Sequence, residues 1–279
     1  MTTRFSLAAL LAALLTLAPA SFAQSFSTQG DAPGITRSIG DVDVQRGGTV
    51  LTHSTSQTIT QFNSVSCNNG FSLHTDNSYF RFFDLNAFGI TGDFAVSDVT
   101  IGVESAGAGS GGVQPIELRL HTLSGSPSLA NLTPLGTVAT TVPDGDLVPF
   151  TFTVPGTVVP AGSVLGVEIF TPNGQTAGNS FFIGSNADAE TGLSYLATSG
   201  ECGISDITSV DDIGQPNMHI VMNVTGVESA SGPSIDIAVN TFTNTPMRGE
   251  SVFFRGPVTN TGAATEFVYV YAEVDVPGF

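Results

Sequence analysis

The stretch Asp98-Val99-Thr100-Ile101-Gly102-Val103-Glu104 decides the fold class. Val99, Ile101 and Val103 fall on alternate positions, with Asp98, Thr100, Gly102 and Glu104 between them. Side chains alternate across a β-strand, so a period of two predicts a strand with one buried face. The pattern recurs downstream. Ile116, Leu118 and Leu120 alternate with Glu117, Arg119 and His121. Phe150, Phe152 and Val154 alternate with Thr151 and Thr153, and Leu165, Val167 and Ile169 with Gly166, Glu168 and Phe170. Ile220, Met222 and Val224 close the series against His219, Val221 and Asn223. Residues 79–85 and 180–184 are more uniformly apolar and predict strands covered on both sides.

Turn chemistry separates these runs. Residues 106–112 are glycine-rich, and Gly125-Ser126-Pro127, Pro143-Asp144-Gly145-Asp146, Pro160-Ala161-Gly162 and Pro172-Asn173-Gly174 are turn signals. Eight or nine strands in about 165 residues, with no sustained helical period, predict an all-β, antiparallel two-sheet sandwich. The strand number and the long loops favour a jelly roll over an immunoglobulin-type arrangement. The sandwich is expected over residues 58–226, after a poorly ordered leader at 24–57 in which one strand is expected near residues 49–51. Residues 227–233 read as a linker. Strands at 235–242, 251–258 and 267–274, with a tight turn at Val258-Thr259-Asn260-Thr261-Gly262, predict a partial second β-sandwich over 234–279. Three strands supply less than such a domain needs, so the chain is expected to be a fragment or to complete this sheet against another chain.

Composition excludes several functions. The 279 residues carry 24 acidic side chains against 7 arginines, with no lysine, for a net charge of −17. A Schiff-base or P-loop lysine is therefore ruled out. Nucleic-acid binding needs cations to replace counterions, and docking on an anionic membrane surface needs them as well. Residues 1–23 read as a secretory signal peptide: Arg4 is the positive n-region, residues 7–17 the apolar run, and Ser21-Phe22-Ala23 the small-residue cleavage site. No later apolar run is long enough to span a bilayer, so no membrane insertion of the mature chain is expected. Cys67 and Cys202, the only two cysteines, both lie in the exported part, and an even count in an oxidising compartment predicts a disulfide. The bridge closes a loop of about 135 residues, which the chain-entropy argument values at up to roughly 5 kcal/mol.

Three stretches carry a resemblance: Asn77-Ser78-Tyr79-Phe80-Arg81-Phe82-Phe83-Asp84-Leu85, Gly178-Asn179-Ser180-Phe181-Phe182-Ile183-Gly184-Ser185-Asn186 and Pro216-Asn217-Met218-His219-Ile220-Val221-Met222-Asn223-Val224. Together they resemble a jelly-roll-like β-sandwich module of secreted, multidomain bacterial surface proteins, over about residues 65–226. The resemblance implies no activity and no binding residues. The tail, from Thr245-Pro246-Met247-Arg248-Gly249-Glu250 to Val276-Pro277-Gly278, is similar to the start of an immunoglobulin-like repeat of such proteins. It stops before the remaining strands and before the C-terminal sorting signal those proteins often carry.

Motifs for catalysis are missing. There is no Gly-x-Ser-x-Gly elbow, His-Glu-x-x-His or Walker sequence. His53, His74, His121 and His219 stand singly and read as solvated positions on polar strand faces. Asp144 with Asp146, Asp188 with Glu190, and Asp211 with Asp212 are acidic loop pairs. Asp144, Asp146, Asp211 and Asp212 are the candidate ligands for Ca²⁺, a hard cation that takes six to eight oxygens, though none fits an EF-hand spacing and solvated loops of an acidic protein are the favoured account. The row Glu117, Arg119 and His121 is the candidate polar binding strip, though an ordinary wet strand face with partly compensated charge is the favoured reading. Trp is absent and most Phe fall in apolar alternation, which weakens a stacking platform for sugars. The expected function is a non-enzymatic structural or adhesive module of a secreted or cell-surface protein, with no cofactor. Its partners are other extracellular domains or glycans. The alternative is a carbohydrate-binding module, calcium-assisted or not.

Overall fold

In the computed structural model, residues 24–29, 35–38, 48–229, 235–237 and 258–260 are described. The 98–104 stretch lies in a 14-residue strand in which Val99, Ile101 and Val103 are fully buried. In chain order, the strands of the two large sheets are β1 (Thr49–Thr52), β2 (Asn77–Asp84), β3 (Phe94–Gly107), β4 (Gln114–Leu123), β5 (Leu132–Val142), β6 (Gly145–Val159), β7 (Val164–Thr171), β8 (Ser180–Ile183), β9 (Tyr195–Ala197), β10 (Thr208–Ser209) and β11 (Met222–Glu228).

One sheet has the order β6-β3-β11-β1, with β8 also paired to β3; the other has the order β10-β9-β2-β7-β4-β5. Every pairing is antiparallel. The chain alternates between sheets from β1 to β4, turns once within a sheet to β5, and alternates again through β6 and β7. With β11 closing the first sheet, the four-strand orders β1-β11-β3-β6 and β2-β7-β4-β5 form an eight-stranded jelly roll. Strands β9 and β10 extend it beyond β2. The expected alternation supplies the core between the sheets: Ile116, Leu118, Leu120, Leu165, Val167, Ile169, Ile220, Met222 and Val224 are buried with Leu51, Phe83, Phe94 and Phe181. Each such side chain stabilises the fold by about 1.5–3 kcal/mol relative to exposure.

One edge of β3 changes partner at Gly102. Residues 94–101 pair with β11 and residues 103–107 with β8. At the handover the Gly102 amide donates to the Val221 carbonyl at 2.9 Å, and the Gly102 carbonyl accepts from the Gly184 amide at 2.7 Å. A Cβ on Gly184 would lie 2.6 Å from the Gly102 carbonyl carbon, so this backbone crossing admits no side chain there.

Arg81 is fully buried, and its charge has to be paired there. Its Nη1 meets Glu190 Oε2 at 2.7 Å, and Nη1 and Nε donate to the Gly192 and Ile220 carbonyls. The guanidinium thus pins the 187–194 loop and the segment before β11 to β2. Cys67 and Cys202 are joined by a disulfide with Cα atoms 6.0 Å apart, within the bridging range. Cys67 sits in the short strand Ser66–Asn68 and Cys202 in a 3₁₀ turn, Glu201–Gly203.

The module extends past the expected boundary at residue 58. Ser25–Ser27 pairs with Ser66–Asn68, Thr36–Ser38 with Thr58–Thr60, and β1 with β11. β1 is the strand expected near residues 49–51; Ser25–Ser27 and Thr36–Ser38 carry little apolar period, so the leader reading at 24–57 misses those two. β11 runs two residues into the expected linker, where the Glu228 Oε1 atom accepts from the Thr91 and Gly92 amides, each at 2.7 Å. In the tail, Ile235–Ile237 pairs antiparallel with Val258–Asn260. Val258 is expected to end a strand, whereas Thr259 and Asn260, expected in a tight turn, are also in a strand. The expected signal peptide and the remaining tail strands lie outside the described residues. No helix among the described residues is long and apolar enough to cross a membrane.

Glu104, on β3, is fully buried. Its Oε2 accepts from the Asn63 and Ser64 amides at 3.1 and 2.9 Å, while Oε1 has no partner. Burial outweighs these hydrogen bonds and pushes the carboxyl up to about 7. The folded state then holds a proton that the unfolded chain has released, so this group lowers stability as pH rises from about 4.5 to about 7. Glu104→Gln is expected to remove that loss, gaining about 3 kcal/mol over wild type at pH 8 relative to pH 4. Denaturant melts across this range check it; parallel pH profiles for the two proteins would contradict it.

Candidate functional site

The outer face of the six-stranded sheet is a polar grid. Register places Ser78, Phe170 and Glu117 in one row across β2, β7 and β4. Phe80, Glu168 and Arg119 form the next row, and Phe82, Gly166 and His121 the third. Glu168 is at the centre. Its Oε1 accepts from the Ser78 hydroxyl at 2.7 Å and from Arg119 Nη1 at 3.1 Å. Its Oε2 accepts from His121 Nε2 at 2.9 Å, so Nε2 carries the hydrogen. Arg119 also donates from Nε and Nη2 to Glu117 Oε2, at 2.9 and 2.7 Å, and its Cζ lies 3.7 Å above the centroid of the Phe170 ring. Gly166 makes room for the third row, since a Cβ there would meet the Phe82 ring at 3.0 Å and His121 Cβ at 3.6 Å.

Two loops wall this face into an open cleft of about 450 Å³. Leu129, Leu132 and Pro134 line one side, and Ala197, Thr198, Ser199 and Ser205 the other, with Asp76 at the rim. Asp206 joins the walls: it accepts from the Ser128 hydroxyl at 2.8 Å and from the Leu129 amide at 2.6 Å. Those bonds, the Leu129 amide foremost, hold its carboxyl below the usual range. The Ser199 hydroxyl donates to Asp76. The disulfide at Cys202 tethers the 198–206 segment to Cys67.

Burial alone would raise the Glu168 carboxyl, but hydrogen bonds from His121 and Ser78 and the charge of Arg119 hold it below the ordinary carboxylate range. It is ionised at neutral pH and serves as a fixed acceptor. The Ser78 hydroxyl donates to this carboxylate and not to an imidazole.

The structure brings Glu117, Arg119 and His121 together, as one strand must, and adds Glu168 and Ser78, which the sequence reading left out. Within that row Glu117 and Arg119 are about 30% exposed and pair with each other, while His121 is 8% exposed and its partner Glu168 4%. A signal existed in Glu168, an acid on the polar side of its own alternation that complements Arg119, but their adjacency depends on strand register. The other histidines also depart from expectation. His74 is fully buried, with ring nitrogens 2.7 and 3.0 Å from the Thr75 carbonyl and the Gln114 side chain, and burial lowers its basicity. His53 stacks on Phe83. His219 Nδ1 contacts the Asp188 carbonyl. Glu190, read as half of a loop pair, is the counter-ion of Arg81.

Asp144 is exposed in the turn before β6, where it accepts from the Ala108 amide at 2.7 Å, and Asp146 is exposed at the start of β6. Asp211 and Asp212 are exposed after β10, and Asp212 accepts from the Ser209 hydroxyl at 2.7 Å. The two pairs stand in different loops. Among the described residues no three His, Cys, Asp or Glu side chains gather in a group that would hold a metal ion.

No family model matches the chain, and no curated protein matches it. Among solved structures it is similar to the cysteine protease and lectin-like domains of Cwp84, a surface-layer associated protein of Clostridium difficile, with 12% identity and a TM-score of 0.42 over 62% of this chain and 39% of that one. It is also similar to the clostridial cysteine protease Cwp84 after propeptide cleavage, with 13% identity and a TM-score of 0.41 over 63% of this chain and 45% of that one. The chain thus spans less than half the length of either structure.

Removing the central carboxylate leaves Arg119 and His121 facing a neutral group. Glu168→Gln is expected to cost about 2–4 kcal/mol at pH 7. The stabilisation from a depressed carboxyl is present at neutral pH and lost as pH falls through its folded value. The gap between variant and wild type should therefore close only below the ordinary carboxylate range. Urea melts at several pH values test this, and a variant as stable as wild type at pH 7 would contradict it.

Proposed function

We propose that this chain is a non-catalytic, extracellular binding module that engages carbohydrate through the cleft on its six-stranded sheet. The observation that carries the reading is the grid around Glu168. It is a preformed array of charged and hydroxyl groups held by three neighbouring strands at the base of the cleft, with Arg119 and Glu117 about 30% exposed beside the nearly buried Glu168 and His121. Ligand sites are concave and combine apolar lining with a few placed polar groups. Leu129, Leu132, Pro134 and Phe170 supply the first here, and Arg119, Glu168, Asp76 and Ser199 the second. A glycosidase needs a carboxyl kept protonated as its acid, and Glu168 is held in the opposite state. The extracellular setting rests on the signal-peptide reading, the bridged cysteines and the resemblance to secreted bacterial proteins. The structural or adhesive role expected from the sequence is thereby narrowed to adhesion through a bound glycan.

An immobilised glycan array probed with the full chain, with and without chelator, tests this. The expected outcome is binding to a subset of glycans, unchanged by chelator and weakened at least about tenfold by Arg119→Ala. An array without signal, or a signal untouched by the substitution, would contradict it.

A further inference from the structure

The cleft also shows which charge class of ligand it takes. We infer that it selects an uncharged, polyhydroxylated chain, a neutral glycan held edge-on by hydrogen bonds, and rejects acidic polysaccharides; this rests on the cleft being the binding site.

The first reason is the state of the one cation. Arg119 is the only Lys or Arg among the lining residues, and it is flanked by Glu117 at 2.7 Å and Glu168 at 3.1 Å. Asp76 adds a further carboxylate at the rim. An incoming carboxylate or sulfate meets a guanidinium already matched by two acids and a surround that is net acidic, in a protein of charge −17. Association with an anion is disfavoured both at the site and by the field of the whole chain.

The second reason is what the network leaves over. A guanidinium has five N–H donors, and Arg119 spends three of them within the grid. Two donors remain on a side chain that is 30% exposed. The carboxylates of Asp76 and Glu168 keep lone pairs beyond those filled by Ser199, Ser78, Arg119 and His121. Donors and acceptors thus lie side by side. A sugar hydroxyl both donates and accepts, so neighbouring hydroxyls answer both needs without bringing a charge.

The third reason concerns stacking. Phe170 is the only Phe, Tyr or Trp among the lining residues, and one of its faces carries the Arg119 guanidinium. Phe80 is fully buried, and Phe82 is packed against Phe80 and Tyr195. No flat ring is left open as a platform among the lining residues. Recognition therefore runs through hydroxyl edges, with Pro134 and Leu132 as the apolar wall.

Titration calorimetry of the full chain with three soluble probes decides it: a neutral hexose oligomer, an oligouronate and an amino-sugar oligomer. The expected result is that the neutral oligomer binds best, that its affinity is the same at low and high salt, and that Arg119→Ala weakens it at least about tenfold. Wild-type selectivity needs no variant, so the test stands even where the substitution disturbs folding. If the oligouronate or the amino-sugar oligomer binds best, with a salt-dependent affinity lost in Arg119→Ala, the neutral-ligand assignment is overturned while the cleft remains the site. If the neutral oligomer binds and Arg119→Ala leaves its affinity unchanged in a folded protein, the cleft itself is overturned. Absence of binding to all three overturns both.

Discussion

A carboxylate in the middle strand of a sheet, roofed by loops, must be paired or it destabilises the sheet that carries it. Glu168 meets this constraint through both neighbouring strands at once, with Ser78 on β2 and Arg119 and His121 on β4. The outer face of the six-stranded sheet is organised around that need. Gly166 stays bare beside it, Arg119 turns its guanidinium flat over Phe170, and Glu117 takes the remaining edge of the same guanidinium. The inner face of the same strands is wholly apolar at Leu165, Val167 and Ile169. One set of strands therefore carries a core on one side and a recognition surface on the other.

The walls of the cleft are built where residues 128–134 enter β5 and where β9 passes into the 198–206 loop. The 198–206 wall is tethered by Cys202, and through Asp206 it holds the opposite loop at Ser128 and Leu129. The bridge spans 135 positions of chain, so its effect on the unfolded state is general, but its local effect falls on the cleft. The other buried ionic group, Arg81 with Glu190, does comparable work at the far side of β2, where it joins loop to strand and exposes nothing.

Much of the fold was legible in the sequence because burial on one face of a strand writes a period of two. The strands around Val99, Leu118, Val167 and Met222 stand where that period places them, and the lone cysteine pair is bonded. What escaped has physical causes. Ser25–Ser27 and Thr36–Ser38 are edge strands of three residues without apolar alternation. The coverage of His74, Glu104 and Glu168 comes from loops distant in sequence, so buried polar residues read as solvated ones. For the site, Glu117, Arg119 and His121 were visible as a strip on one strand. Their partner Glu168 was not, because register between β4 and β7 is set by the folded sheet and leaves no local mark.

The central claim is that the ligand lies on the Glu168 grid between the two loop walls. Backbone amide chemical shifts followed by NMR during titration with a neutral oligosaccharide test it most directly. The account predicts shifts concentrated at residues 117–121, 166–170, 197–206 and 128–134. Shifts confined to the turns around Asp144 and Asp211, or spread without focus over the surface, would contradict it.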